Sequence, residues 1–248
     1  MNVVETVIIN WKRPANIEKI ITALRSQTVP CTVTLCDCHP SAEYALSAPT
    51  LEKVDRIYRW KHNLGAYSRY LPMIGFDHPY TFLIDDDLLP GCQCLEAFLE
   101  AALQIENEFG VLGQFGRIVS AEGYYRAVNI PRNDRFREVD FIVQAYFVKT
   151  CNLHNLLRFR WETGYFEDKL PEDDLLLCAS LKYYQDLRCY LTPWNGNPET
   201  LLNQHVLDES FALSSRKDHY YRRQKFIDRI TCYGWKSLHI TGERHNYI

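Results

Sequence analysis

The chain has 248 residues, 46% of them hydrophobic and 24% charged, and a formal net charge of −3. That length can bury a sizeable core, as one large domain or two small ones. The charge balance leaves no electrostatic case for general nucleic-acid binding, although basic residues gather late, at Arg216, Lys217, Arg222, Arg223, Lys225 and Arg229. The nine cysteines are irregularly spaced. Their C-x-C pairs (Cys36 and Cys38, Cys92 and Cys94) differ from the C-x-x-C of zinc sites, so they read as small buried hydrophobes in a reducing compartment. The opening MNVVETVIIN enters a strand at once, without the cationic region and long apolar core of a signal peptide. No stretch approaches a membrane span, so a cytoplasmic protein without a transmembrane segment is expected.

Val3 to Ile9 reads as a buried strand and Asn10 to Pro14 as the loop after it. Ile17, Ile20, Ile21 and Leu24 recur at helical spacing, so residues 15–26 are predicted to form an amphipathic helix, with Pro14 in its first turn. A second strand covers Cys31 to Cys36. The strand–helix–strand order implies parallel pairing. Asp37 lies just beyond the second strand, where nucleotide-binding α/β folds often keep an acid for ribose or base; an ordinary turn residue is the alternative. No G-x-G-x-x-G follows the first strand, which argues against a dinucleotide cofactor. A short helix is open for residues 40–54, and Asp55 to Trp60 reads as a third strand. In Asn63 to Tyr70, Gly65 permits a tight turn and the segment after it suits a helix. Arg69 there either forks onto a phosphate or packs over Tyr70.

Phe82, Leu83 and Ile84 read as a buried strand that ends in Asp85, Asp86 and Asp87, with Pro90 and Gly91 marking a turn. Three adjacent carboxylates at the carboxyl end of a buried strand need an offsetting charge. A divalent cation is the simplest candidate, because Mg²⁺ and Mn²⁺ take carboxylate oxygens and often complete their shell with substrate phosphates. The carboxyl ends of strands are also where open α/β sheets bind ligands. Leu95 to Leu103 is a further amphipathic helix and Gly110 to Gly113 a strand. Residues 114–137 read as a loop with Arg117, Arg126, Arg132, Arg135 and Arg137 among Tyr124, Tyr125 and Phe136. Val139 to Val148 reads as one long strand with Asp140 and Gln144 as polar breaks. Residues 158–171 read as a loop bordering a site. Glu172, Asp173 and Asp174 open a helix from Leu175 to Tyr184, where a capping role through the helix dipole is the plain alternative to a catalytic one. Leu187 to Leu191 is a late strand and 192–198 a loop. No repeat or linker divides the chain, so a single domain is expected.

Four segments in this order resemble the GT-A-fold glycosyltransferases, especially family 2 and the exostosin-like enzymes: VIINWKRPANIEKIITAL, N-L-G-x-x-x-R, FLIDDDLLP and LPEDDLLLCASL. The resemblance spans roughly residues 4–190. It implies a Rossmann-like mixed, mostly parallel sheet flanked by helices, with residues 1–113 as the nucleotide-sugar half and 114–248 as the acceptor half and C-terminal tail. It implies that Asp85 and Asp87 are the ends of a D-x-D motif holding Mn²⁺ or Mg²⁺ against the donor diphosphate, with Asp85 or Asp86 reaching the ribose. Asn10, Arg13 and Asp37 would line the nucleoside pocket, and Asn63 and Arg69 would border ribose and phosphates. Among Glu172, Asp173 and Asp174 one would be the catalytic acidic residue. Asp173 fits best as the base of an inverting enzyme, while the exostosin-like pattern retains configuration. A late His often completes the metal shell in this family; His219 is the first choice and His205 the second. The Q-x-x-R-W of processive polymerases is absent, so transfer of one sugar is expected, from a UDP-sugar as the first donor to test, to a glycan, lipid or protein acceptor.

Two other readings stay open. A sugar nucleotidyltransferase uses similar carboxylates but normally has a Gly-rich loop after the first strand, where this chain has Asn10-Trp11-Lys12-Arg13-Pro14. A non-catalytic nucleotide-sugar-binding protein would keep the fold without turnover. Specificity is expected in loops 114–137, 158–171 and 192–200, where Trp161, Tyr165, Phe166 and Trp194 suit either sugar stacking or core packing.

Overall fold

The structure is a computed structural model that describes residues 3–38, 41–106, 108–165, 172–204 and 212–238. Among these residues the largest sheet has eight strands: β1 (Val4–Asn10), β2 (Cys31–Asp37), β3 (Arg56–Arg59), β4 (Tyr80–Ile84), β6 (Val111–Gly113), β9 (Arg137–Val139), β11 (Ala145–Lys149) and β12 (Cys189–Leu191), in the order β3-β2-β1-β4-β11-β6-β12-β9. β3, β2, β1 and β4 pair in parallel, as do β6 and β12. β11 runs antiparallel between β4 and β6, and β9 runs antiparallel on β12. This is the mixed, mostly parallel α/β sheet that the sequence predicts. It draws strands from both halves of the chain.

The apolar runs explain the layering. β1 and β2 are buried along their whole length, as expected for strands covered on both faces. Alternate side chains then go to opposite sides. Ile8, Leu35, Phe82 and Ile84 pack with Ile17, Ile20, Ile21 and Leu24 of α1 (Pro14–Arg25) and with Leu95 and Phe98 of α3 (Cys94–Gln104). Val7, Ile9 and Leu83 face the other core, with Tyr67 and Tyr70 of the 3-10 segment Ala66–Gly75, Phe159 of α4 (His154–Glu162), Leu176 and Leu177 of α5 (Asp173–Gln185) and Phe226 of α6 (His219–Cys232). A short helix, α2 (Ala48–Leu51), precedes β3.

Several segments depart from the sequence expectations. Residues 114–137 are not all loop: β7 (Gly116–Ser120) and β8 (Gly123–Ile130) form an antiparallel hairpin, extended by β10 (Phe141–Ile142) on β7. Ile118, Val119 and Tyr124 are buried on its strands, apolar positions that the density of Arg hides in the sequence. The side chains of Tyr125 and Arg126 lie outside the described residues. The single strand expected over 139–148 is broken into β9, β10 and β11. Asp140 turns inward to accept the N–H groups of Val119 (2.8 Å) and Leu238 (2.9 Å), and Gln144 has a left-handed backbone with φ 74°. Residues 154–162, expected partly as loop, are α4; it buries only Asn155, Leu156 and Phe159, so its polar face dominates the sequence. Pro90 belongs not to a turn but to the short strand β5 (Leu88–Pro90), which pairs with β13 (Leu202–Gln204). A two-strand ribbon leaves an outer edge where proline is tolerated.

The parallel register Ile8↔Ile84 and Asn10↔Asp37 brings the ends of β1, β2 and β4 to one edge of the sheet. Trp11, Asp85 and Asp86 follow directly beyond that edge. At the ribbon, Gly91 donates its N–H to the Leu201 carbonyl at 2.8 Å, and a Cβ on Gly91 would collide with the backbone of Glu199. Gly91→Ala is expected to cost about 1–3 kcal/mol as an overpacking change. The reading is a lower urea midpoint with an unchanged slope; an unchanged midpoint would show that loop 192–200 gives way freely.

Candidate active site

At the carboxyl edge of the sheet lies a cleft of about 780 Å³. Asp85, Asp86 and Asp87 line it, together with Arg13, Asn63, Arg69, Asp173, Asp174 and His219. Residues far apart in sequence thus meet at one place.

The Asp triplet is divided by its partners. Asp86 is locked: it accepts the Trp11 N–H at 3.0 Å and pairs with Arg13 Nη1, while Asn16 Nδ2 donates to the Asp86 carbonyl at 3.0 Å. Its side chain is 7% exposed, against 27% for Asp85 and 21% for Asp87. The first and third carboxylates therefore keep an open edge toward the cleft, and the middle one fastens the loop after β1. Arg13 Nη1 also lies 3.4 Å from Asp87 Oδ2. Burial lifts the Asp86 carboxyl to about 6 against the opposing pull of Arg13.

Arg69 is the second buried cation. Gly65, whose φ of 73° favours glycine, starts the segment that carries it, and Asn63 Oδ1 accepts the Gly65 N–H at 2.7 Å. Arg69 Nη1 lies 2.7 Å from Asp85 Oδ1, and Nε lies 3.3 Å from Asp173 Oδ2. Neither contact is an aligned hydrogen bond: Arg69 Nη1, Asp85 Oδ1 and Asp173 Oδ2 are all buried and otherwise unsatisfied. Burial lifts Asp85 to about 7 with Arg69 opposing, and burial likewise raises Asp173, again opposed by Arg69.

Each acidic residue at the start of α5 has its own guanidinium. Glu172 accepts from Arg222 Nε (3.2 Å) and from the Tyr165 hydroxyl (3.3 Å). Asp173 faces Arg69. Asp174 accepts from Arg223 Nη2 at 2.7 Å, and Arg223 Nη1 donates to the Tyr124 hydroxyl at 2.8 Å. Burial pushes Glu172 up to about 7. Glu172 stands at the N-cap without a side-chain cap bond, and Asp173 and Asp174 lie in the first turn of α5, where the helix dipole also favours an acid.

Other expectations shift. Asn10 and Asp37 sit behind the cleft wall: Asn10 Nδ2 donates to Asp37 Oδ1 at 3.0 Å, and Arg59 lies 3.5 Å from Asp37. Ile9, Trp11 and Cys38 form the wall there. His219 lines the cleft with Arg223 and Arg117; burial and these cations push its imidazole down to about 4. His205 and Phe166 lie outside the described residues. Trp161 is 76% exposed on α4 and Tyr165 is buried, so neither offers a face to the cleft. Its aromatic lining is Trp11, Tyr124 and Tyr146 instead. Gln144 is a further wall residue, with its strained backbone and a buried Oε1 lacking a hydrogen bond. The polar break it makes in an apolar run was the available signal.

No group of three His, Cys, Asp or Glu side chains converges as a metal cage among the described residues. The open carboxylate edges of Asp85 and Asp87 fit a cation whose remaining positions are filled by ligand oxygens and water, the arrangement Mg²⁺ commonly adopts.

No protein-family model matches the chain, and no curated protein matches it in sequence. Solved structures do match in fold. One is S. aureus TarS, with a TM-score of 0.52 and 14% identity over 77% of this chain and 36% of that one. Another is S. aureus TarS 1-349 in complex with UDP-GlcNAc, with a TM-score of 0.51 and 13% identity over 79% of this chain and 60% of that one. The chain thus spans little over a third of the one structure and under two thirds of the other.

Removing Arg69 would leave two buried carboxylates facing each other. Arg69→Met is expected to destabilise the fold by about 3–5 kcal/mol in urea unfolding. Adding Asp85→Asn and Asp173→Asn should recover most of that loss, whereas no recovery would mean that Arg69 acts through packing alone. The comparisons show what the cleft sits in: a mixed α/β sheet flanked by helices, similar in fold to S. aureus TarS over 77% of this chain.

Proposed function

We propose that the protein is a glycosyltransferase that moves one sugar from a nucleoside-diphosphate sugar to an acceptor hydroxyl. The observation that carries this reading is the meeting, in one cleft, of two open carboxylates (Asp85 and Asp87) with a separate buried carboxylate (Asp173), joined by Arg69. Two acidic groups with different jobs are what the reaction needs. The solved complex of a fold relative with UDP-GlcNAc supports a nucleotide-sugar donor.

In this reading residues 1–113 bind the donor and 114–248 the acceptor. Trp11 and the Asn63–Gly65 turn border the nucleoside, with Asn10 and Asp37 holding the β1 and β2 ends in register behind them. Asp85 and Asp87 would hold Mg²⁺ or Mn²⁺, which when bound would supply positive charge for the departing diphosphate. Asp173 takes the proton of the acceptor hydroxyl. That oxygen forms the new bond to the anomeric carbon, and the bond from that carbon to the diphosphate breaks, with its electron pair going to the phosphate oxygen. Arg69 sets Asp173 relative to Asp85, and Arg223 keeps Asp174 out of the base position.

The test is UDP release from UDP-GlcNAc and a panel of other nucleotide sugars with Mn²⁺, read beside thermal shift. Asp173→Asn is expected to lower turnover by about 10²-fold or more while UDP still raises the melting temperature. Retained turnover would remove Asp173 from the chemistry, and absence of any nucleotide-sugar stabilisation would remove the reading itself. Because burial raises the Asp173 carboxyl, kcat/KM is expected to fall on the acid side at a pH above the ordinary carboxylate range; a profile flat through that range would contradict Asp173 as the base.

A further inference from the structure

The wall of the cleft beyond Asp173 carries a cation that the proposed transfer does not use. Arg117, on β7, is half-buried and lines the cleft. Among the described residues its side chain makes no hydrogen bond or ion pair, and its charge is felt by Tyr124 and His219. Arg223 is 93% buried and also lines the cleft; its Nη atoms hold Asp174 and Tyr124, but its Nε donor has no partner. Arg216, at the cleft mouth, is closed on Asp218 by two contacts, of 3.0 and 2.9 Å. His219 lines the same cleft and feels both Arg223 and Arg117. Asp174 and Asp218 neutralise Arg223 and Arg216, which leaves Arg117 as a surplus charge beside an unfilled buried donor.

A half-buried guanidinium without a partner is costly, and its planar fork suits an oxyanion. The position separates this wall from the donor side. Arg117 lies on β7, the groups that feel its charge, Tyr124 and His219, lie on β8 and α6, and Arg223 grips the residue next to Asp173. The donor side has its own cations, Arg13 and Arg69, already engaged by Asp85, Asp86 and Asp87.

We infer that Arg117, with the free Nε edge of Arg223 and the ring of His219, forms an oxyanion subsite on the acceptor side, so that the acceptor carries a phosphate or similar anionic group close to the hydroxyl that is glycosylated. This rests on the glycosyltransferase reading for its acceptor, though the oxyanion site can be tested without it.

The experiment is a ³¹P NMR titration of inorganic phosphate into the full chain, alone and saturated with UDP and Mg²⁺, for the wild type, Arg117→Gln and Arg117→Lys. Phosphate is expected to bind the wild type in both conditions. Arg117→Gln should weaken it by about tenfold or more, the loss of a charge-assisted contact, and Arg117→Lys should keep most of the affinity. UDP affinity should be equal in all three. Circular dichroism confirms that the variants fold, and the Lys variant separates lost charge from lost structure. Phosphate that fails to bind, or that binds Arg117→Gln as tightly as the wild type, overturns the subsite. Displacement of phosphate by UDP, or a matching loss of UDP affinity in Arg117→Gln, overturns the acceptor-side placement and assigns the cation to the donor diphosphate. If UDP fails to bind while phosphate binding still depends on Arg117, the subsite stands and the glycosyltransferase reading falls.

Discussion

Arg69 is the interaction on which the cleft depends. It reaches Asp85 at the end of β4 and Asp173 at the start of α5, joining an element of the first half of the chain to one of the second. The guanidinium is 3% exposed, and it stacks over Tyr146 at 5.5 Å. A single charge cannot neutralise two carboxylates, so the site retains negative character where a cationic or hydrogen-bond-donating ligand would complete it. The buried, unsatisfied atoms of the three residues mark that incompleteness.

The same economy runs through the surrounding shell. Arg13 fastens Asp86, Arg222 fastens Glu172 and Arg223 fastens Asp174. Buried ion pairs of this kind add little net stability, because desolvation offsets much of their attraction. Their value lies in preorganisation: fixed charges need not reorganise when charge develops in a transition state. The pairing also decides which groups remain available. It closes Asp86, Glu172 and Asp174, leaves open edges on Asp85 and Asp87, and holds Asp173 buried against Arg69, a division of labour among acidic side chains adjacent in sequence.

Much of this was legible in the sequence because it rests on local patterns. The apolar run ending at Ile84 placed the Asp triplet, and the spacing of Ile17, Ile20, Ile21 and Leu24 placed α1. What was not legible depends on partners distant in sequence. The triplet's repulsion read as a demand for a metal ion, whereas two arginines, at positions 13 and 69, meet part of it. Nothing in the late run of basic residues reveals that Arg222 and Arg223 hold Glu172 and Asp174, the acids on either side of Asp173. The hairpin β7–β8 was hidden because Arg117 and Tyr124 on it line the cleft, so its apolar residues do not alternate simply. Asp140 and Gln144 were visible as polar breaks, but the apolar run around them is long enough to read as one strand, whereas the chain divides there into β9, β10 and β11. The aromatics that appeared suited to a sugar, Trp161 and Tyr165, are on a solvent face and in the core respectively; Trp11 and Tyr146 face the cleft because of backbone register, which composition does not encode.

A crystal structure with UDP and Mn²⁺ tests the central claim, that the edge between Asp85, Asp87 and Asp173 is a donor site. The expected result is anomalous density for the metal beside Asp85 and Asp87, with the diphosphate against it and the nucleoside toward Trp11. Nucleotide bound elsewhere on the chain, or a cleft still empty at saturating UDP and Mn²⁺, would contradict it.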